Sequence, residues 1–163
     1  MELHVRPARR ADAAALADLL NEIIAAGGTT AYEVPFTPDG FATAHIDGPG
    51  VITSVIAEDG DGRAMGFQIL LRNEQLPPGW GDIGTFARRG STARGIGSAL
   101  FAATCAAARD AGLDALNATI RADNTGGLAF YARIGFVDYA VTRGVPLADG
   151  TPVDRIARRF DLA

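Results

Sequence analysis

The chain has 163 residues, 48% of them hydrophobic and 21% charged, a soluble globular composition that fills one domain and leaves little room for a second. Its net charge of −4 argues against a general binder of nucleic acid or anionic membranes. The single cysteine, Cys105, and the two histidines, His4 and His45, exclude a disulfide framework and a cysteine- or histidine-rich metal centre, so no metal is expected.

All fifteen basic residues are arginine, which excludes lysine-based mechanisms. The opening MELHVRPARR lacks an apolar signal core, and no run of about 18 apolar residues occurs. A cytoplasmic, reducing setting is expected.

Glu2 to Arg6 alternates and reads as a short strand ended by Pro7. Asp12 is placed to cap a helix running to Ala26, with Leu16, Leu19, Leu20, Ile23 and Ile24 at helical spacing and Gly27-Gly28 as its stop. Thr29 to Phe36 reads as irregular, and Thr37-Pro38-Asp39 opens a short helix to about His45, which is expected on that helix's surface. Val51 to Glu58 and Ala64 to Arg72 read as strands joined by the hairpin turn Asp59-Gly60-Asp61-Gly62. Gly81 to Ala87 is a further strand after a proline-rich break. A long alanine-rich helix follows from about Gly95 to Ala111, then a strand from Leu113 to Arg121, a helix from Thr125 to Ile134 and strands over Phe136 to Arg143 and Val153 to Asp161. Hairpins mixed with two crossover helices imply an α/β fold on a mixed sheet.

The most informative stretch runs from Phe86 to Phe101, where a strand enters a loop and Gly95-Ile96-Gly97 opens a helix. First-turn N–H groups have no partner within a helix and the dipole adds positive charge there, so glycines that leave this backbone bare suit a pyrophosphate. Arg88, Arg89 and Arg94 add local positive charge. Tight-turn chemistry explains a lone Gly-x-Gly equally well. A dinucleotide fingerprint fits poorly, because Leu100 stands where its third glycine belongs, and no Gly-Lys-Ser/Thr occurs.

The second constellation is Asn124-Thr-Gly-Gly-Leu-Ala-Phe130-Tyr131-Ala-Arg-Ile-Gly135-Phe136. Asn124 stands where a helix cap is wanted. Tyr131 follows two turns later on the same face, about 10 Å along the axis. It also reads as a core aromatic beside Phe130.

In this order and spacing the two segments resemble the GNAT N-acetyltransferase superfamily over most of the chain, nearest its phosphinothricin and amino-acid-analogue acetyltransferase branch. The resemblance implies a single GNAT domain over residues 1–163, with a mixed, mostly antiparallel sheet flanked by helices, and acetyl-CoA as co-substrate. It implies pyrophosphate binding by the backbone of Thr92, Ala93, Arg94, Gly95, Ile96, Gly97 and Ser98, and contacts to the pantetheine arm from Phe86, Ala87 and Asn124. Thr92 departs from the long polar residue usual at its position. By resemblance Tyr131 is the general acid to the CoA thiolate, and it also contacts the cofactor. Asp82 is the first candidate base, Glu33 the second and Glu74 the third; each also reads as a solvated surface carboxylate. Tyr32, Glu33, Phe36 and Arg72 are candidates to line the acceptor pocket, and Tyr32 and Phe36 read equally as core residues closing the first helix.

The function implied is acetyl transfer to the primary amine of a small molecule by direct attack. Acetylation of a protein terminus or side chain, and a non-catalytic acyl-CoA-binding module, are the alternatives. No nucleic acid or membrane partner is expected, and a homodimer is compatible with so small a domain.

Overall fold

The computed structural model describes residues 2–91 and 95–163. Strand β1 (His4–Pro7) and a single 3-10 turn (Arg10–Asp12) lead into helix α1 (Ala13–Ala26), and the short helix α2 (Pro38–His45) follows an irregular segment. Strands β2 (Val51–Glu58), β3 (Ala64–Leu71) and β4 (Trp80–Ala87) come next. Helix α3 (Ile96–Asp110), strand β5 (Ala115–Arg121), helix α4 (Thr125–Arg133) and strands β6 (Val137–Pro146) and β7 (Pro152–Asp161) complete the chain. The order of helices and strands matches the one expected, with boundaries shifted by one to three residues.

The strands form one sheet in the order β1-β2-β3-β4-β5-β7-β6. Every neighbouring pair is antiparallel except β4 and β5, which is the mostly antiparallel mixed sheet expected. The period of two along the strands divides the core between two faces. Ile56, Phe67 and Ile69 meet Leu16, Leu19, Leu20 and Phe41 of α1 and α2. On the other face, Val55, Ala57 and Met65 meet Ile96 and Leu100 of α3, while Leu70, Ile83, Leu116 and Ile120 pack with Phe101, Cys105 and Tyr131.

Two local expectations are corrected. Asp12 makes no side-chain cap for α1. Both its oxygens are taken by Arg6 at 2.8 Å, one of them also accepts the Arg9 N–H, and Arg6 reaches on to Glu58 at 2.6 Å. A bidentate, charge-assisted pair outweighs one capping bond, so Asp12 ties β1 to the turn before the helix. His45 lies in the interior at 1% exposure, not on a surface. The face of α2 that carries Phe41 and Ala42 carries it too, and the rings of Tyr32, Phe36 and Phe41 surround it at centroid distances of 5.0–5.5 Å.

Candidate functional site

Strands β4 and β5 run parallel for three residue pairs only, Trp80 with Ala115, Gly81 with Leu116 and Asp82 with Asn117. Beyond this vertex both strands continue, β4 to Ala87 and β5 to Arg121, but apart. The Arg88 N–H bonds the Met65 carbonyl at 2.8 Å, and the β3–β4 register holds without a break from Gly66 with Ala87 to Leu71 with Asp82. Hydrogen bonds in an antiparallel ladder alternate, so the backbone of Phe86 and Gly84 faces β3 while that of Thr85 and Ala87 faces the gap. Ala87 therefore offers open backbone groups to the gap. Thr85, which the sequence reading missed, offers them in place of Phe86.

The gap opens into a cleft of about 920 Å³ lined by β4, the start of α3, α4 and the segment after α1. Gly95, with φ 82°, caps α3 with no side-chain bond, and the N–H groups of Ile96, Gly97 and Ser98 begin the helix at the cleft wall. A Cβ on Gly97 would stand 2.4 Å from the Phe130 ring, so the glycine is what lets α4 close on the first turn of α3. Arg88, Arg89 and Arg133 also line the cleft, giving it positive charge in an acidic chain. Thr92, Ala93 and Arg94 lie outside the described residues.

Asn124 combines two duties. Its Oδ1 accepts the Gly127 N–H at 2.9 Å and caps α4, while its Nδ2 donates to the Thr29 carbonyl at 3.1 Å. Tyr131, on the same helix, is buried with its hydroxyl 2.9 Å from Thr85 Oγ1, which also accepts from Gln68 Nε2 at 2.9 Å. Burial, opposed by the Thr85 bond and aided by the charge of Asp82, pushes the Tyr131 hydroxyl up to about 12. It stays protonated, a donor across the neutral range.

Asp82 stands at the vertex, three residues from Thr85 and so on the opposite face of β4. Its Oδ1 accepts from Asn117 Nδ2 at 2.9 Å and its Oδ2 from Asn73 Nδ2 at 3.2 Å. The chain has three tyrosines, and the hydroxyls of Tyr32, Tyr131 and Tyr139 are all raised, first by burial and then by the Asp82 charge. One carboxylate thus sits within electrostatic reach of every phenol in the protein.

The remaining candidates separate. Tyr32 stacks on Phe86 at 6.4 Å and meets Phe36 edge-on at 5.2 Å, and both rings pack against the α1–α2 core. Glu33 is exposed and its carboxylate accepts the Ala148 N–H at 2.9 Å in the β6–β7 turn. With Arg121 Nη1 donating to the Thr30 carbonyl at 3.0 Å and Asn124 holding Thr29, the segment after α1 is tied across the gap to β5, α4 and the hairpin. Arg72 and Glu74 are exposed beyond the end of β3, and it is Asn73 between them that reaches Asp82. Asn73 and Asn117 carried no sequence signal, because an asparagine in a loop or strand has no periodicity to mark it.

Residues 16–136 match the model of the acetyltransferase (GNAT) family. The chain belongs to that family. The phosphinothricin acetyltransferase of Sinorhizobium meliloti, solved in complex with acetyl-CoA, is 21% identical over 100% of this chain and 90% of its own, with a TM-score of 0.86. An N-acetyltransferase from Staphylococcus aureus is 17% identical over 100% of both chains at 0.84. A ribosomal-protein-alanine N-acetyltransferase from Brucella melitensis is 19% identical over 97% of this chain and 99% of its own at 0.83. No curated protein matches the sequence significantly. In this acetyltransferase no described helix is long and apolar enough to cross a membrane, and no group of described side chains is arranged to hold a metal.

Proposed function

We propose that this acetyltransferase moves the acetyl group of acetyl-CoA to the primary amine of a small molecule, an amino acid or close analogue. The observation that carries the reading is the vertex itself, with a protonated hydroxyl on one face of β4 and a carboxylate on the other. An elongated thioester in the cleft, its diphosphate at the start of α3 and its arm along Thr85 and Ala87, brings its carbonyl to that point. The sites fit the cofactor: bare helix N–H groups, open strand edges and three arginines suit a polyanion with an amide-bearing tail.

The amine attacks the carbonyl from the Asp82 side, where the carboxylate takes up the proton it sheds. Oxyanion charge develops towards an open backbone N–H of β4 near Thr85, beside the Tyr131 hydroxyl, a contribution worth about 3–4 kcal/mol in acyl transfer. As the C–S bond breaks, Tyr131 donates to the sulfur. Its hydroxyl, raised to about 12, is a weaker acid than an ordinary thiol near 8.5, so hydrogen bonding to the developing thiolate leads, and the proton that ends on the sulfur is balanced through solvent by the one Asp82 took from the amine and releases. The products are the acetamide and free CoA thiol.

The tied segment over Thr29, Thr30 and Glu33 narrows the acceptor side, which favours a small amine over a protein terminus. The test is calorimetric titration with acetyl-CoA, then CoA-thiol release with L-phosphinothricin, the common amino acids, polyamines and an alanine-initiated peptide. Micromolar binding with turnover of an amino acid or analogue is expected. Tyr131→Phe is expected to keep acetyl-CoA affinity within about threefold and lower kcat by about 100-fold. Turnover of the peptide alone would overturn the substrate class, unchanged kcat the role of Tyr131, and no turnover of any amine the catalytic reading.

A further inference from the structure

We propose that Tyr139 is a positioning residue for the reaction, fixing Asp82 at the vertex through the side-chain amide of Asn117. The inference rests on the reading of Asp82 as the base and adds two residues to it.

Asn117 is 2% exposed, and its amide is fully engaged. Oδ1 accepts from the Tyr139 hydroxyl at 2.5 Å, and Nδ2 donates to Asp82 Oδ1 at 2.9 Å and to Thr119 Oγ1 at 3.0 Å. An amide can present either end to a neighbour. A hydroxyl donor on the carbonyl end commits the NH2 end to the carboxylate, which holds the amide plane and with it Asp82. Asn73 secures the other oxygen at 3.2 Å, so the carboxylate is braced from a loop on one side and a strand on the other.

Reaching Asn117 requires particular geometry. Tyr139 is on the outermost strand, β6, and its side chain crosses β7 to β5, a span of about 10 Å. The β6–β7 register slips between Asp138 and Ala140, leaving Tyr139 as the extra residue. A bulge re-aims a side chain in just this way, at the expense of ladder bonds. The ring then rests edge-on against Trp80 at 5.6 Å, and the Arg159 guanidinium lies over the same indole at 4.9 Å. Although 44% of Tyr139 is exposed, its one polar atom is turned inward to a buried amide.

The test is a double-mutant cycle on kcat, with the fastest amine from the screen above. Tyr139→Phe keeps the ring on Trp80 and removes only the hydroxyl. It is expected to lower kcat about 5–20-fold, with the KM for acetyl-CoA within about twofold of the parent. In the Asp82→Asn background the same change is expected to alter kcat less than about twofold, because there is no base left to position. Fluorescence of Trp80, the chain's one tryptophan, checks that the corner is intact. Equal losses in both backgrounds would overturn the proposal. So would full activity in Tyr139→Phe with loss only in Tyr139→Leu, since ring packing would then be what matters. If Asp82→Asn alone leaves kcat unchanged, the reading of Asp82 as base fails and the relay with it.

Discussion

Gly97→Ala separates what local propensity demands from what the tertiary structure demands. Gly97 is the second residue of α3, where alanine is intrinsically favoured over glycine by about 1 kcal/mol. In the folded protein the new methyl would stand 2.4, 2.8 and 3.1 Å from three carbons of the Phe130 ring. Real methyl groups do not approach so closely, so the ring must turn away. It would then leave an edge contact with Tyr131 at 5.0 Å, worth about 0.5–1.5 kcal/mol, and the Arg133 guanidinium at 5.7 Å, worth about 0.5–1 kcal/mol. Strain in the neighbouring turn adds to this, since overpacking typically costs about 1–3 kcal/mol. Set against the propensity gain, the net is a loss of about 1–4.5 kcal/mol. For a domain of 163 residues that lowers Tm by about 2–18 °C. The displaced ring has the cleft to move into, so acetyl-CoA affinity falls as well, by about tenfold or more. Scanning calorimetry and cofactor titration read both effects. Combined with Phe130→Ala, the same glycine replacement is expected to raise Tm, because only propensity is left. A rise in Tm for Gly97→Ala alone would refute the packing argument.

Asn124→Ala removes both a cap and the bond to Thr29, and is expected to cost about 1–2 kcal/mol in denaturant unfolding. It is also expected to raise the KM for acetyl-CoA, and an unchanged KM would separate the segment after α1 from the cofactor site. His45 is buried among rings, and burial, opposed by the Ala44 backbone, holds its pKa below the ordinary value near 6.5. The unfolded chain therefore binds a proton there before the folded one does, so stability falls as pH drops below about 6.5. His45→Phe is expected to flatten that slope in urea midpoints taken between pH 7 and pH 5; an unaltered slope would place its origin elsewhere. Cys105 is buried in α3 with its thiol pushed up by burial, so Cys105→Ser is expected to leave kcat unchanged while lowering Tm slightly. Complete loss of turnover in a folded variant would contradict this.

Elements that announce themselves locally were legible in the sequence. Gly27 and Gly95 punctuate α1 and α3 as expected, both with positive φ, and Thr37 caps α2 through the Gly40 N–H at 3.0 Å. The cleft wall followed from the same signals, since Gly95, Gly97 and Asn124 are residues whose backbone roles depend on near neighbours. What sequence did not disclose depends on strands that are distant in the chain. Inserting β7 between β5 and β6 brings Arg121 opposite Arg155 and lets Tyr139 reach Asn117. No spacing along the chain encodes that meeting. His45 was misplaced for a related reason: a polar residue on a short helix reads as solvated until the ring cluster on its other side is known. Glu33 likewise carries no mark of the turn at Ala148, 115 residues further on.

Parting of β4 from β5 after three rungs has a consequence for solubility as well as chemistry. Open strand edges invite pairing with other chains, and most sheets blunt theirs at the periphery. Here two edges lie in the middle of the molecule, with α3 and α4 beside them and the Thr29–Glu33 segment tied across the opening. With these elements beside them the two edges are covered by the protein itself, and a foreign strand would have to displace that cover before it could pair. The fold thus keeps an unfinished seam in the middle of its sheet and guards it with its own helices and loop, where other sheets guard their rims.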